Sequence, residues 1–138
     1  MIKEYKNFDM VDKKGKSDSF IWDLPFLRIK EYVLGKNFTL SLNFVDKYTA
    51  QELNIKYRGK DYFPNILTFP LGDDSGEIYI CRSVARTQYK SFELDYHNYI
   101  LFLFIHGCLH LKGVNHDSKK SEENMVKLEN ELLEKFKL

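Results

Sequence analysis

The residues best suited to chemistry are concentrated in one stretch, Ile105 to Asp117, which reads IHGCLHLKGVNHD. His106 and His110 are four apart, a spacing that on a helix projects both imidazoles from one face, close enough to share an ion. Gly113 then ends the helix and permits the backbone reversal that can bring His116 back toward the same point. Three neutral imidazoles and an open fourth position describe a catalytic zinc, because structural sites fill all four positions with protein ligands. The bland alternative is two histidines packed on an apolar helix and one in a loop. Against it, three of the four histidines fall in the pattern HxxxHxxGxxH, with glycine at the turn. The fourth, His97, lies about half a turn from His106 on a continuous helix, and Cys108 is rotated by about 200°, so neither is expected to ligate.

The same histidine spacing occurs in the metzincin proteases, which place a glutamate after the first histidine as general base. Here that position is Gly107, which can neither accept a proton nor bind metal. Peptide hydrolysis by that mechanism is disfavoured.

These residues need a scaffold, and 138 residues with 43% hydrophobic and 30% charged side chains suffice for one core but not for two ordinary domains. One domain over 1–138 is expected. No signal-like or membrane-spanning run is evident, and Tyr99–Leu111, the most apolar stretch, is interrupted by histidines, so a soluble cytoplasmic protein is expected. Cys81 and Cys108 then read as buried thiols. With a net charge of +1, any nucleic-acid footprint must come from local clustering.

Thr39–Val45, TLSLNFV, alternates as a strand with one buried face. Thr49 has capping-box spacing to Glu52 and predicts a short helix that Gly59 stops. Asn65–Phe69 and Glu77–Cys81 read as strands around a turn-rich connector, and hairpin pairing between them is expected. Helical pattern resumes at Val84, and a long apolar helix runs from Leu94-Asp95 to Gly113, buried because it is apolar over most of its circumference. Ser118 or Ser121 can cap a last helix whose Met125, Leu128, Leu132 and Phe136 form a packing stripe. Ile2–Met10 is expected as an edge strand and Phe20–Leu34 as a helix with Pro25 near its start. The order implies an α/β fold, a small mixed, mostly parallel sheet of about four strands packed with helices, the central helix carrying the metal histidines.

The run His106-Gly107-Cys108-Leu109-His110-Leu111-Lys112-Gly113-Val114-Asn115-His116 resembles the YbeY family signature HGxLHLxGxDH. Two further blocks, Leu53 to Pro70 with its Tyr57-Arg58-Gly59-Lys60-Asp61, and Gly76 to Cys81, also resemble that family in order and separation. The chain departs from it at Asn115, where the family usually has aspartate, at Phe63-Pro64, where a Pro-Thr pair is common, and at Glu77. Asn115 adjoins His116, so a carboxylate that would orient an imidazole is replaced by a neutral amide.

The resemblance implies a single-strand endoribonuclease using one zinc ion, acting in ribosomal RNA maturation and small-subunit quality control, with ribosomal RNA and the small ribosomal subunit as partners. Independently, a zinc with an open position can lower the pKa of its water to about 7 or polarise a phosphoryl oxygen. Arg58 is the residue to set against developing negative charge, since a guanidinium stays ionised and grips two phosphate oxygens. A solvated helix-end arginine is its other reading, and the resemblance favours the functional one. Lys60 joins it as a substrate-binding candidate; Lys56, Arg58 and Lys60 make one basic strip, and Arg82, Arg86 and Lys90 a second or merely a solvated face. Two other functions stay open, a zinc hydrolase of a peptide or small amide and a non-catalytic ribosome assembly factor with a structural zinc.

Overall fold

The computed structural model describes residues 2–12, 19–114 and 117–138. The secure strand is β3 (Thr39–Val45), with Leu40, Leu42 and Phe44 buried on one face as its alternation requires. Its neighbours are β2 (Phe8–Asp12) on one side and β5 (Ser75–Cys81) on the other, both parallel to it. Two antiparallel strands complete the sheet, β1 (Ile2–Tyr5) beside β2 and β4 (Ile66–Gly72) beside β5, in the order β1-β2-β3-β5-β4. The five-stranded sheet is mixed, as expected, but not mostly parallel: two of its four pairings are parallel and two antiparallel, because each outer strand joins through a hairpin. Ile2–Met10 is a hairpin, not one edge strand, because Asn7 takes a positive φ of 65°, which asparagine tolerates. The β4–β5 hairpin forms as expected.

Helix α1 (Phe26–Leu34) follows a 3-10 turn over Ser19–Asp23. The expected Phe20–Leu34 helix is divided because Pro25 disfavours helical backbone at Leu24 and serves as the N-cap. Helix α2 (Lys47–Arg58) begins earlier than its sequence signal: Asp46, not Thr49, is the cap, accepting the Thr49 N–H at 2.8 Å, and Gly59 ends it in the left-handed region. Helix α3 (Arg82–Arg86) is a single short turn set before a 3-10 segment, Tyr89–Phe92. Helix α4 (Tyr96–Lys112) is capped by Asp95 and ended by Gly113 at φ 101°. Helix α5 (Lys119–Phe136) starts at Ser118, which forms a capping box with Ser121.

One face of the sheet carries α4, flanked by α1 and α5. Phe26 of α1 lies 5.0 Å from the Phe104 ring and 6.1 Å from Phe44, so helix and sheet share one aromatic core. The close approach of α4 to the sheet depends on Gly107: a Cβ there would meet Ile78, Thr68 and Ile66. The opposite face is covered by α2 through Tyr57, Phe69 and Tyr79, whose rings contact in series at 5.4 and 5.7 Å. Ile66, Thr68 and Ile78 point toward α4, and the intervening Phe69 and Tyr79 toward α2, as alternation demands. Among the described residues no helix is long and apolar enough to cross a membrane.

Candidate functional site

The last two turns of α4 present His106 and His110 on the same partly exposed face, while Gly107, Cys108 and Leu109 turn into the core. The i, i+4 spacing brings the two Nε2 atoms to 3.0 Å, with ring centroids 4.6 Å apart. Two imidazole lone pairs repel at that distance unless something positive lies between them, either a proton on one ring or a cation shared by both. Zinc bonded to both nitrogens at about 2.0–2.1 Å would set them roughly 3.3 Å apart in tetrahedral geometry, so the pair fits such an ion after a displacement of a few tenths of an ångström. The expected third ligand, His116, and its neighbour Asn115 lie outside the described residues. Among the described residues no group of three His, Cys, Asp or Glu side chains converges as a metal site.

A side chain unanticipated from sequence orients this pair. Glu129 of α5 is 5% exposed, and its Oε2 lies 2.9 Å from His106 Nδ1. A buried carboxylate is costly unless partnered, and the imidazole N–H is the partner available here. With the proton on Nδ1 donated to Glu129, the His106 Nε2 lone pair is turned toward His110 or an ion. The signal was present in the sequence: Glu129 interrupts the apolar stripe of α5 and is buried with Met125, Leu132 and Phe136.

The remaining titratable groups of α4 are placed elsewhere. His97 packs against the rings of Phe20 at 4.8 Å and Tyr96 at 5.1 Å, near the other end of the helix. Cys108 is fully buried, and burial holds its thiol far above its ordinary range, with Lys30 only partly opposing the shift.

Arg58 and Lys60 are exposed at the end of α2, on the sheet face opposite α4. Arg58 Nη1 donates to Asn54 Oδ1 at 3.1 Å and to the Tyr62 hydroxyl at 2.9 Å. The fold therefore brings His106 and His110 together but sets Arg58 and Lys60 across the edge strand β4 from them. The second basic strip is not continuous: Arg82 and Arg86 line one cavity, and Lys90 lies on the next segment. Arg82 is ion-paired with buried Asp12 and lies over Phe44, Arg86 lies over Tyr96, and the helix breaks before Lys90.

Residues 11–137 match the family model described as Endoribonuclease YbeY. Among similar proteins is an Endoribonuclease YbeY from Ureaplasma parvum serovar 3, 36% identical over 102 residues, an alignment covering 70% of this chain and 66% of that one. Another, from Phytoplasma australiense, is 34% identical over 122 residues, covering 82% of this chain and 81% of the relative. The chain thus spans just under two thirds of the length of the Ureaplasma relative. A solution structure of a Thermotoga maritima protein superposes with a TM-score of 0.64 at 26% identity, covering 92% of this chain and 87% of that one.

Proposed function

The chain belongs to the YbeY endoribonuclease family, and from that membership we propose that it is a metal-dependent, single-strand endoribonuclease. On this reading residues 1–138 form one hydrolase domain, one zinc ion is held by His106, His110 and His116, and the protein acts in the cytoplasm in ribosomal RNA maturation and small-subunit quality control. The observation that carries it is the pair of Nε2 atoms 3.0 Å apart, with His106 oriented from behind by the Glu129 carboxylate. Carboxylate–histidine pairing of this kind fixes the tautomer a metal ligand needs. When bound, the zinc supplies an activated water or polarises a phosphoryl oxygen of the substrate.

The chain's own residues then divide the remaining work. Glu129 holds the His106 proton on Nδ1, and the short separation of the histidines preorganises the donor pair. Arg58, steadied by Asn54 and Tyr62, offers a guanidinium to the RNA backbone, and Lys60 adds a second positive charge. Because these cations lie across the edge of β4 from the histidines, an RNA strand touching both would pass over that edge. Peptide hydrolysis is opposed by Gly107: the glutamate of a metzincin would start from a Cβ 2.9 Å from Ile78 Cδ1 and 3.0 Å from Thr68 Cγ2.

The test is incubation of metal-loaded protein with single-stranded RNA, beside chelated protein and Arg58→Ala. Cleavage should require the metal. Arg58→Ala should retain fold and metal while losing on the order of 10²-fold in rate if the guanidinium stabilises transition-state charge. Arg58→Lys should then restore little, since an ammonium cannot make the planar two-point contact. Wild-type cleavage by Arg58→Ala across a range of salt concentrations removes Arg58 from the chemistry.

A further inference from the structure

Successive turns of α2 are covered by the loop that follows it. Gly59, at φ 66°, reverses the chain, and residues 59–65 run back along the helix face formed by Arg58, Asn54, Gln51 and Lys47. Arg58 Nη1 reaches the Tyr62 hydroxyl, Asn54 Nδ2 donates to the Tyr62 carbonyl at 3.4 Å, and Gln51 Nε2 donates to Asp61 Oδ1 at 2.9 Å. At the far end Phe63 meets Tyr48 edge to face at 5.8 Å, and the Lys47 ammonium lies 5.3 Å from one ring and 5.2 Å from the other. The result is a ridge about 16 Å long, the rise of α2 from Lys47 to Arg58.

The ridge exposes aromatic surface that the fold does not use. Tyr48 is 62% exposed, Tyr62 47% and Phe63 41%. Three neighbouring rings open to water, bracketed by Lys47 at one end and Arg58 and Lys60 at the other, combine stacking surfaces with positive charge. That is the chemistry that binds single-stranded nucleic acid without reading its sequence, since every base has a π-face and every nucleotide a phosphate. Asp61 is the one acid in the loop, and its carboxylate is bonded to Gln51.

We propose that this ridge is a stacking platform for single-stranded RNA, with Tyr48, Tyr62 and Phe63 receiving bases and Lys47 a phosphate. It rests on the assignment of RNA as substrate and extends it. A strand gripped at Arg58 continues directly onto Tyr62, because the two side chains are hydrogen-bonded, and runs along α2 away from the histidines.

Affinity for a short labelled single-stranded RNA, measured by fluorescence anisotropy, tests the platform separately from cleavage. Tyr48→Ala and Phe63→Ala should each weaken binding about 5-fold or more, the usual scale for losing a stacked base. Tyr48→Phe keeps the ring and should keep the affinity. Lys47→Ala should reduce the salt slope by about 1. Tyr32→Ala, which removes an equally exposed ring on α1, should change nothing, and melting curves establish that each variant is folded. If wild type and the ring variants bind RNA alike, the platform is overturned, the ridge is left as a surface for a protein partner, and the nuclease assignment stands. If wild type binds no RNA, both fall.

Discussion

Glu129 and the α4 histidines act on one another at the shortest range, and their variants separate orientation from ligation. Removing a group that orients a metal-bound histidine typically costs 10- to 100-fold in metal affinity. Glu129→Ala should therefore weaken zinc binding by about that factor in a chelator competition, while Glu129→Gln, which can still accept from Nδ1 through its amide oxygen, should lose less. Equal affinity of both variants and wild type would reduce Glu129 to a packing residue. His110→Ala should lower metal content and melting temperature together, because metal binding free energy contributes to folding. His97 packs against the Phe20 and Tyr96 rings near the other end of α4, so His97→Ala should leave metal content unchanged. Metal analysis of the two purified variants decides the matter: equal loss in both, or none in either, would sink the histidine assignment.

Helix α4 reaches the sheet through a missing side chain. A Cβ at Gly107 would lie 2.9, 3.0 and 3.1 Å from side-chain tips of Ile78, Thr68 and Ile66, on two strands at once. Gly→Ala in a helix interior normally gains up to about 1 kcal/mol, and overpacking a core costs about 1–3 kcal/mol. The second effect should win, since Ile78 is fully buried and has little room to move. We expect Gly107→Ala to lower stability by about 1 kcal/mol in urea unfolding, and Gly107→Glu to lower it much further. A stabilised alanine variant would mean that the helix can shift away from the strands at little cost. The same glycine thus governs both the depth of α4 and the absence of a metzincin-type base.

Across the whole molecule, the least expected core group is Lys30, fully buried with its ammonium donating to the Lys36 carbonyl at 3.1 Å. Burial lowers its pKa from the ordinary lysine value of 10.5, with Glu31 and Cys108 only partly opposing the shift. Between the lowered value and 10.5 the unfolded chain holds more protons than the folded one, so this group makes stability rise with pH across that window. Lys30→Met should abolish the rise and raise the melting temperature at neutral pH, where the ammonium is buried at a cost. Thermal melts at neutral and alkaline pH check both effects. A less stable methionine variant at neutral pH would show that the bond to Lys36 outweighs desolvation.

Local pattern was enough to locate much of this protein. The alternation of Thr39–Val45, the apolar run ending at Gly113 and the stripe of α5 are short-range consequences of side-chain period, so β3, α4 and α5 are legible from the amino-acid sequence alone. The spacing of His106 and His110 likewise determined that they share a face, because helix geometry fixes it within one element. Pro25 and Asp46 shifted boundaries that periodicity alone misjudged. What required tertiary structure were relations between elements distant in sequence. The meeting of Glu129 with His106, 23 residues apart, depends on how α5 crosses α4. The placement of Arg58 opposite the histidines depends on which face of the sheet α2 covers, and the pairing of Arg82 with Asp12 joins residues 70 apart. No local period encodes these, because they arise only when the chain packs its helices on two faces of one sheet.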